Sequence, residues 1–258
     1  MKDKIKKILE NIEKENGIKI LFAVENGSRS WGMASKDSDY DVRFVFSRPV
    51  GNYISLSKEK EVITAAFDEN LNECPVQGSL IDISGFDIFK YLKLLYSSNP
   101  TTLEWLNSQI VYLGDNNVPL REYMNENFSQ TRLFKHYFSL FKNNYEFIEN
   151  GKMITYKKYL YSMRGILNAE YVYNFDKLPP LDLRKTTDEV QKLIPEEVYS
   201  KLQEVLEIKS KGLERETILR IPVFDEFSIN EMNKNFENFN DRTPEIKIFD
   251  EFLQNLLL

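Results

Sequence analysis

Asp39 and Asp41 stand two residues apart at the head of the run Tyr40-Asp41-Val42-Arg43-Phe44-Val45-Phe46, and Asp82 sits inside Leu80-Ile81-Asp82-Ile83. Residues two apart on an extended chain project from one face, so Asp39 and Asp41 can together hold one or two hard divalent ions through carboxylate oxygen. Carboxylates gathered in a fold are costly unless a cation neutralises them. Upstream, Gly27-Ser28 closely follows the apolar run Ile18 to Val24. A glycine there lets the backbone approach a phosphate, and the serine hydroxyl with neighbouring N–H groups can bond its oxygens. Each feature alone has an ordinary alternative. Gly27-Ser28 can be a plain turn, and Asp39 and Asp41 a solvated acidic turn with Asp37. Asp82 has Asp87 for a neighbour, but Asp87 is placed to cap a helix. Order and spacing together favour a nucleotide site.

Basic residues could complete it. Arg29 and Arg43 flank the acidic positions and either bond phosphate oxygens or pair with the neighbouring aspartates. Lys157, Tyr161 and Arg164 follow i, i+4, i+7 spacing and share one helix face. That face either meets a triphosphate or acceptor phosphate or is a solvated basic face. Tyr161 either stacks on a base or packs in the core. His136 reads as a packed or surface histidine and Cys74 as a loop residue, while Glu104-Trp105 reads first as helix packing.

These residues need elements to hold them. Ile5, Ile8, Leu9 and Ile12 predict an amphipathic helix, capped by Asp3 and stopped at Asn16-Gly17. Strands are expected over Ile18 to Val24, Tyr40 to Phe46 and Leu80 to Ile83, with Asp41 and Arg43 on the strand face opposite Tyr40, Val42 and Phe44. Asp87 should cap a helix reaching about Ser97, and Asn99-Pro100 should open another. No strand is expected beyond that point. Phe134, Tyr137, Phe138, Phe141, Tyr145 and Ile148 form the apolar stripe of a long helix ending near Asn150-Gly151, and a second long helix should span Thr155 to Tyr173. The expected architecture is an α+β mixed sheet with helices over residues 1–110, then an all-helical domain over 111–258.

The 258 residues carry 34 Lys+Arg against 40 Asp+Glu, with one Cys and one His. One Cys excludes a disulfide framework, and the pair excludes the usual zinc sites, leaving oxygen to hold any metal. A net charge of −6 argues against a general nucleic-acid coat protein. Only residues 111–180 are net positive, by two charges, so a polyanion belongs near them if charge decides. With no apolar run of eighteen residues, a cytoplasmic protein without a membrane span is expected.

The order strand, Gly-Ser, Asp-x-Asp strand, apolar-Asp-apolar strand resembles the DNA polymerase β-type nucleotidyltransferase superfamily. Within it, Gly27-Ser28-Arg29-Ser30-Trp31-Gly32, Ser38-Asp39-Tyr40-Asp41-Val42-Arg43, Gly85-Phe86-Asp87, Ser98-Asn99-Pro100-Thr101 with Glu104-Trp105-Leu106, and Lys157-Lys158-Tyr159-Leu160-Tyr161 with Arg164 are similar to the RNA-ligase-associated, RNA-repair-pathway branch. The resemblance runs from about residue 18 to Pro180. Phe86 departs from an expected tryptophan, and residues 181–258 carry no matching motif. The resemblance implies two-metal nucleotidyl transfer from a nucleoside triphosphate. Asp39 and Asp41 would hold Mg²⁺ or Mn²⁺, Gly27 and Ser28 the β and γ phosphates, and Asp82 a second metal near the acceptor hydroxyl. The acceptor it suggests is an RNA end, with protein or small-molecule hydroxyls as alternatives. A reading of another class is a nucleotide-binding regulator or toxin-antitoxin partner, against which the complete aspartate set counts.

Overall fold

The computed structural model describes residues 1–57, 59–116, 118–151, 154–213 and 216–258. In chain order the elements are α1 (Lys2–Asn16), β1 (Lys19–Asn26), α2 (Gly27–Ser30), β2 (Tyr40–Ser47), α3 (Val50–Tyr53), β3 (Val62–Phe67), β4 (Ile81–Asp87), α4 (Ile88–Tyr96), α5 (Pro100–Asn107) and β5 (Val111–Gly114). They continue as α6 (Val118–Glu126), α7 (Gln130–Glu149), α8 (Tyr156–Phe175), α9 (Leu183–Glu189), α10 (Glu196–Ser210), α11 (Pro222–Met232) and α12 (Ile246–Leu257). The chain forms two compact units. One holds Met1–Ser30, Asp39–Asn127 and Thr243–Leu258, and the other holds Trp31–Ser38 and Phe128–Arg242. This division differs from a single cut at residue 110.

The first unit is built on a five-stranded mixed sheet of order β3-β4-β2-β1-β5. β2 runs parallel to β4, and the other three pairings are antiparallel. Alternation sorts β2: Val42, Phe44 and Phe46 join Ile81 and Ile83 of β4 and Ile5, Leu9 and Ile12 of α1 in one buried cluster. Asp41 and Arg43 therefore project from the other face, as the sequence predicts. Gly85 lies flat against the Phe44 ring, which any Cβ would overlap. Asp87 caps α4 by accepting from Phe89 N–H at 2.9 Å, and Asn99 caps α5 by accepting from Thr101 N–H at 2.9 Å. Phe249 of α12 is buried and meets the rings of Tyr96 and Tyr123 edge-on.

Two expectations need correcting here. β5 is a strand beyond residue 107, four residues long and paired with β1, because edge pairing, not apolar length, defines it. Asp3 makes no cap: α1 starts at Lys2 behind Met1 without a side-chain cap bond, and Asp3 lies in its first turn.

The second unit centres on the 20-residue helices α7 and α8. Leu133, Phe134, Tyr137, Phe141, Tyr145 and Ile148 are the buried apolar stripe of α7. Thr155 caps α8 by accepting from Lys158 N–H at 3.2 Å. Gly165 of α8 lets the two helices approach, since a Cβ there would come within 2.6 Å of the Phe141 main-chain nitrogen. Gly165→Ala should therefore destabilise the fold despite alanine's better helix propensity, by about 1–2 kcal/mol net of overpacking against propensity. Urea denaturation measures this, and an unchanged or raised midpoint would mean that the close approach costs nothing to fill.

Candidate active site

The site grows from three neighbouring strand ends. β1 delivers its chain through Asn26, which pairs with Asp41, into Gly27. Gly27 has φ +63°, a left-handed conformation that favours glycine, and a Cβ there would overlap the Asp41 carboxylate. The turn is thus packed directly on the aspartate. In the parallel ladder Asp41 is the register partner of Asp82, so both side chains leave the same face of adjacent strands.

Arg43 joins them. Its Nη2 donates to Asp41 Oδ1 at 3.1 Å and to Asp82 Oδ2 at 2.7 Å. Its Nη1 donates to the carbonyls of Val42 and Asp82, each at 3.0 Å. Arg29 donates from Nε to the Asp39 carbonyl at 3.2 Å, and its guanidinium lies 3.8 Å from the centre of the Tyr40 ring. Ser28 is buried in α2. Asp39 lies just before β2, partly exposed. Of the residues expected from sequence, the first unit thus brings together Gly27, Asp41, Asp82 and Arg43, while Arg29 ties the approach to β2.

The donor set suits a hard cation. Two carboxylates already reach one cationic nitrogen, so a centre common to both exists, and oxygen is the ligand Mg²⁺ and Mn²⁺ prefer. Among the described residues no three His, Cys, Asp or Glu side chains form a ready metal cage. Magnesium is commonly held by one or two carboxylates plus substrate phosphates, so an acidic centre of this kind fits it.

Lys157, Tyr161 and Arg164 belong to the second unit, where they share a face of α8 as their spacing predicts. That face holds Trp31. The Arg164 guanidinium lies 3.7 Å from the Trp31 ring centre, Tyr161 meets it edge-on at 5.9 Å, and the Lys157 ammonium is 5.5 Å from the Tyr161 ring. The Trp31 carbonyl also accepts from Leu183 N–H at 3.0 Å. His136 is exposed on α7, and Cys74 is partly exposed in a loop.

Glu25 is the residue sequence reading missed. It is fully buried, its Oε1 accepts from Asp41 N–H at 2.8 Å, and its Oε2 accepts from the Tyr112 hydroxyl. Its carbonyl accepts from Ser108 Oγ at 2.7 Å. The available signal was one acid ending an apolar strand, Leu21-Phe22-Ala23-Val24-Glu25. Burial pushes its carboxyl up from 4.5 to about 7, partly offset by the Tyr112 and Asp41 hydrogen bonds. The native chain therefore keeps this proton between pH 4.5 and about 7 while the unfolded chain releases it. Stability then falls as pH rises through that window, by about 3 kcal/mol at most. Glu25→Gln should flatten this part of the stability curve, measured by urea midpoints at several pH values in chelator. An unchanged slope would show that Glu25 does not titrate there.

An in-register carboxylate pair beside a glycine turn on a mixed sheet is the centre expected of a polymerase β-type nucleotidyltransferase. The chain belongs to the RNA repair pathway DNA polymerase beta family, whose pattern it matches over residues 1–258. It is 34% identical over 260 residues to the uncharacterized protein YcgL of Bacillus subtilis (strain 168), covering all of this chain and 95% of that one. Compared with the crystal structure of a nucleotidyltransferase-like protein from Exiguobacterium sibiricum 255-15, it covers 98% of this chain and 92% of the other at 12% identity and a TM-score of 0.31. Among the described residues, no helix is long and apolar enough to cross a membrane.

Proposed function

We propose that the protein transfers a nucleoside monophosphate from a nucleoside triphosphate to an acceptor hydroxyl, and that the acceptor is an RNA end. The observation that carries this reading is the register of Asp41 with Asp82, with the Gly27 turn packed on the Asp41 carboxylate. The RNA end rests on the family description alone.

Asp39, Asp41 and Asp82 are the oxygen donors available for Mg²⁺ or Mn²⁺. Bound there, the ion would neutralise the triphosphate and stabilise the charge that develops as pyrophosphate departs. The chain's own residues do the positioning. Gly27 and Ser28 hold the β and γ phosphates through main-chain N–H groups and the hydroxyl, while Arg29 adds a cation beside them. Asp82 faces the acceptor. With Tyr161 and Arg164 engaged by Trp31, the phosphate contacts proposed come from the sheet unit. Holding donor and acceptor in line supplies most of the acceleration, with no covalent enzyme intermediate.

The test incubates the protein with Mg²⁺, each α-labelled nucleoside triphosphate in turn, and a cell lysate, then sorts labelled products by nuclease and protease sensitivity. Nuclease-sensitive label is expected. Protease-sensitive label would replace RNA by protein as acceptor, and nucleotide binding without any label transfer would favour a regulator.

A further inference from the structure

Arg43 is held more firmly than a phosphate ligand needs to be. Four donor contacts fix its guanidinium: two to main-chain carbonyls of β2 and β4, and two to the carboxylates of Asp41 and Asp82. The side chain is only 15% exposed. The carbonyl bonds do not depend on what binds the carboxylates, so they keep the fork between the strands when a ligand arrives. A guanidinium stays protonated at any working pH, and its planar fork suits such bidentate holding better than an ammonium would.

The charge arithmetic follows directly. Asp41 and Asp82 contribute two negative charges and Arg43 one positive charge, which leaves a single net negative charge between the two strands. A divalent ion bridging both carboxylates would lie a few ångströms from a fixed positive charge and compete with Nη2, which sits 2.7 Å from Asp82 Oδ2. Asp41 is different. Its contact with Nη2 is the longer one, at 3.1 Å, and its carboxylate also lies against the Gly27 turn where phosphate is proposed to sit.

We propose that Arg43 is a built-in cation that takes the place of a second divalent ion, so that this centre loads one metal, through Asp41 and Asp39, while Asp82 stays committed to Arg43. The proposal rests on the nucleotidyl-transfer reading and refines it: the charge compensation near the acceptor is supplied by the chain itself.

Arg43, acting through Asp82, is a positioning residue, so the test reads metal number rather than rate. Mn²⁺ alone is titrated into the full chain without nucleotide, and bound ion is counted by electron paramagnetic resonance, with circular dichroism checking the fold. The wild type should bind one Mn²⁺ per chain at this centre and Asp41→Asn none. Arg43→Gln, which removes the charge, should bind two, and Arg43→Lys, which keeps it, one. Asp82→Asn should still bind one, which tests the proposal even if Arg43→Gln fails to fold. Two Mn²⁺ in the wild type that fall to one in Asp82→Asn would overturn the proposal while leaving the metal-dependent reading standing. A single Mn²⁺ in a folded Arg43→Gln would overturn it as well. Binding unaffected by Asp41→Asn would overturn both the proposal and the reading beneath it.

Discussion

Asp41→Asn is expected to reduce nucleotidyl transfer at least about a thousandfold with the fold intact, the loss corresponding to several kcal/mol of metal-borne stabilisation. The substitution is nearly isosteric, and the main-chain N–H of residue 41 still donates to Glu25, so the β2 register should survive. The ion pair it removes, to Arg43, is partly exposed and contributes about 1 kcal/mol or less. What would disappear is the anionic oxygen proposed to hold the metal. The assay compares label transfer at saturating Mg²⁺ with circular dichroism and the thermal midpoint. A folded variant keeping more than about a tenth of the activity would remove Asp41 from the centre.

Gly27→Ala should be nearly as damaging, for two separable reasons. The left-handed backbone at φ +63° costs an alanine about 1–2 kcal/mol, and the added methyl would overlap the Asp41 carboxylate. Displacing a reacting group by about 1 Å can cost about a hundredfold in rate, so activity should drop by that factor or more. Gly17 supplies the control. It ends α1 with φ +58° and has nothing within 4 Å of a Cβ position. Gly17→Ala should show the same order of strain in urea denaturation and unchanged transfer. Equal activity losses in both variants would mean that general destabilisation, not the Asp41 contact, explains Gly27.

The parts of this site that could be read from sequence are those fixed locally. Gly27-Ser28 and Asp39-x-Asp41 sit where a strand ends and another begins, and their spacing is a property of neighbouring residues. Asp87 and Asn99 announce their caps in the same way. Arg43 was visible as a basic residue with two open roles, but choosing between them needed the parallel pairing of β2 with β4, which no local pattern specifies. Glu25 was hidden for a related reason. Its hydroxyl partner comes from β5, a four-residue strand 87 positions from Glu25 at Tyr112, too short to have a pattern of its own.

Unit membership was equally non-local. Trp31–Ser38, the stretch between the glycine motif and the acidic motif, groups with the helices, where Trp31 packs on Arg164 and Tyr161. The segment Thr243–Leu258 groups with the sheet, where Phe249 meets Tyr96 and Tyr123.

The most direct measurement follows the α-phosphate of each nucleoside triphosphate into a defined RNA, offered once with a free 3′ hydroxyl and once with a 3′-deoxy end, while pyrophosphate is counted. The account predicts Asp41-dependent label on the free hydroxyl, matched one for one by pyrophosphate, and none on the deoxy end. Bound nucleotide recovered unchanged in the presence of Mg²⁺ and every acceptor class would contradict it.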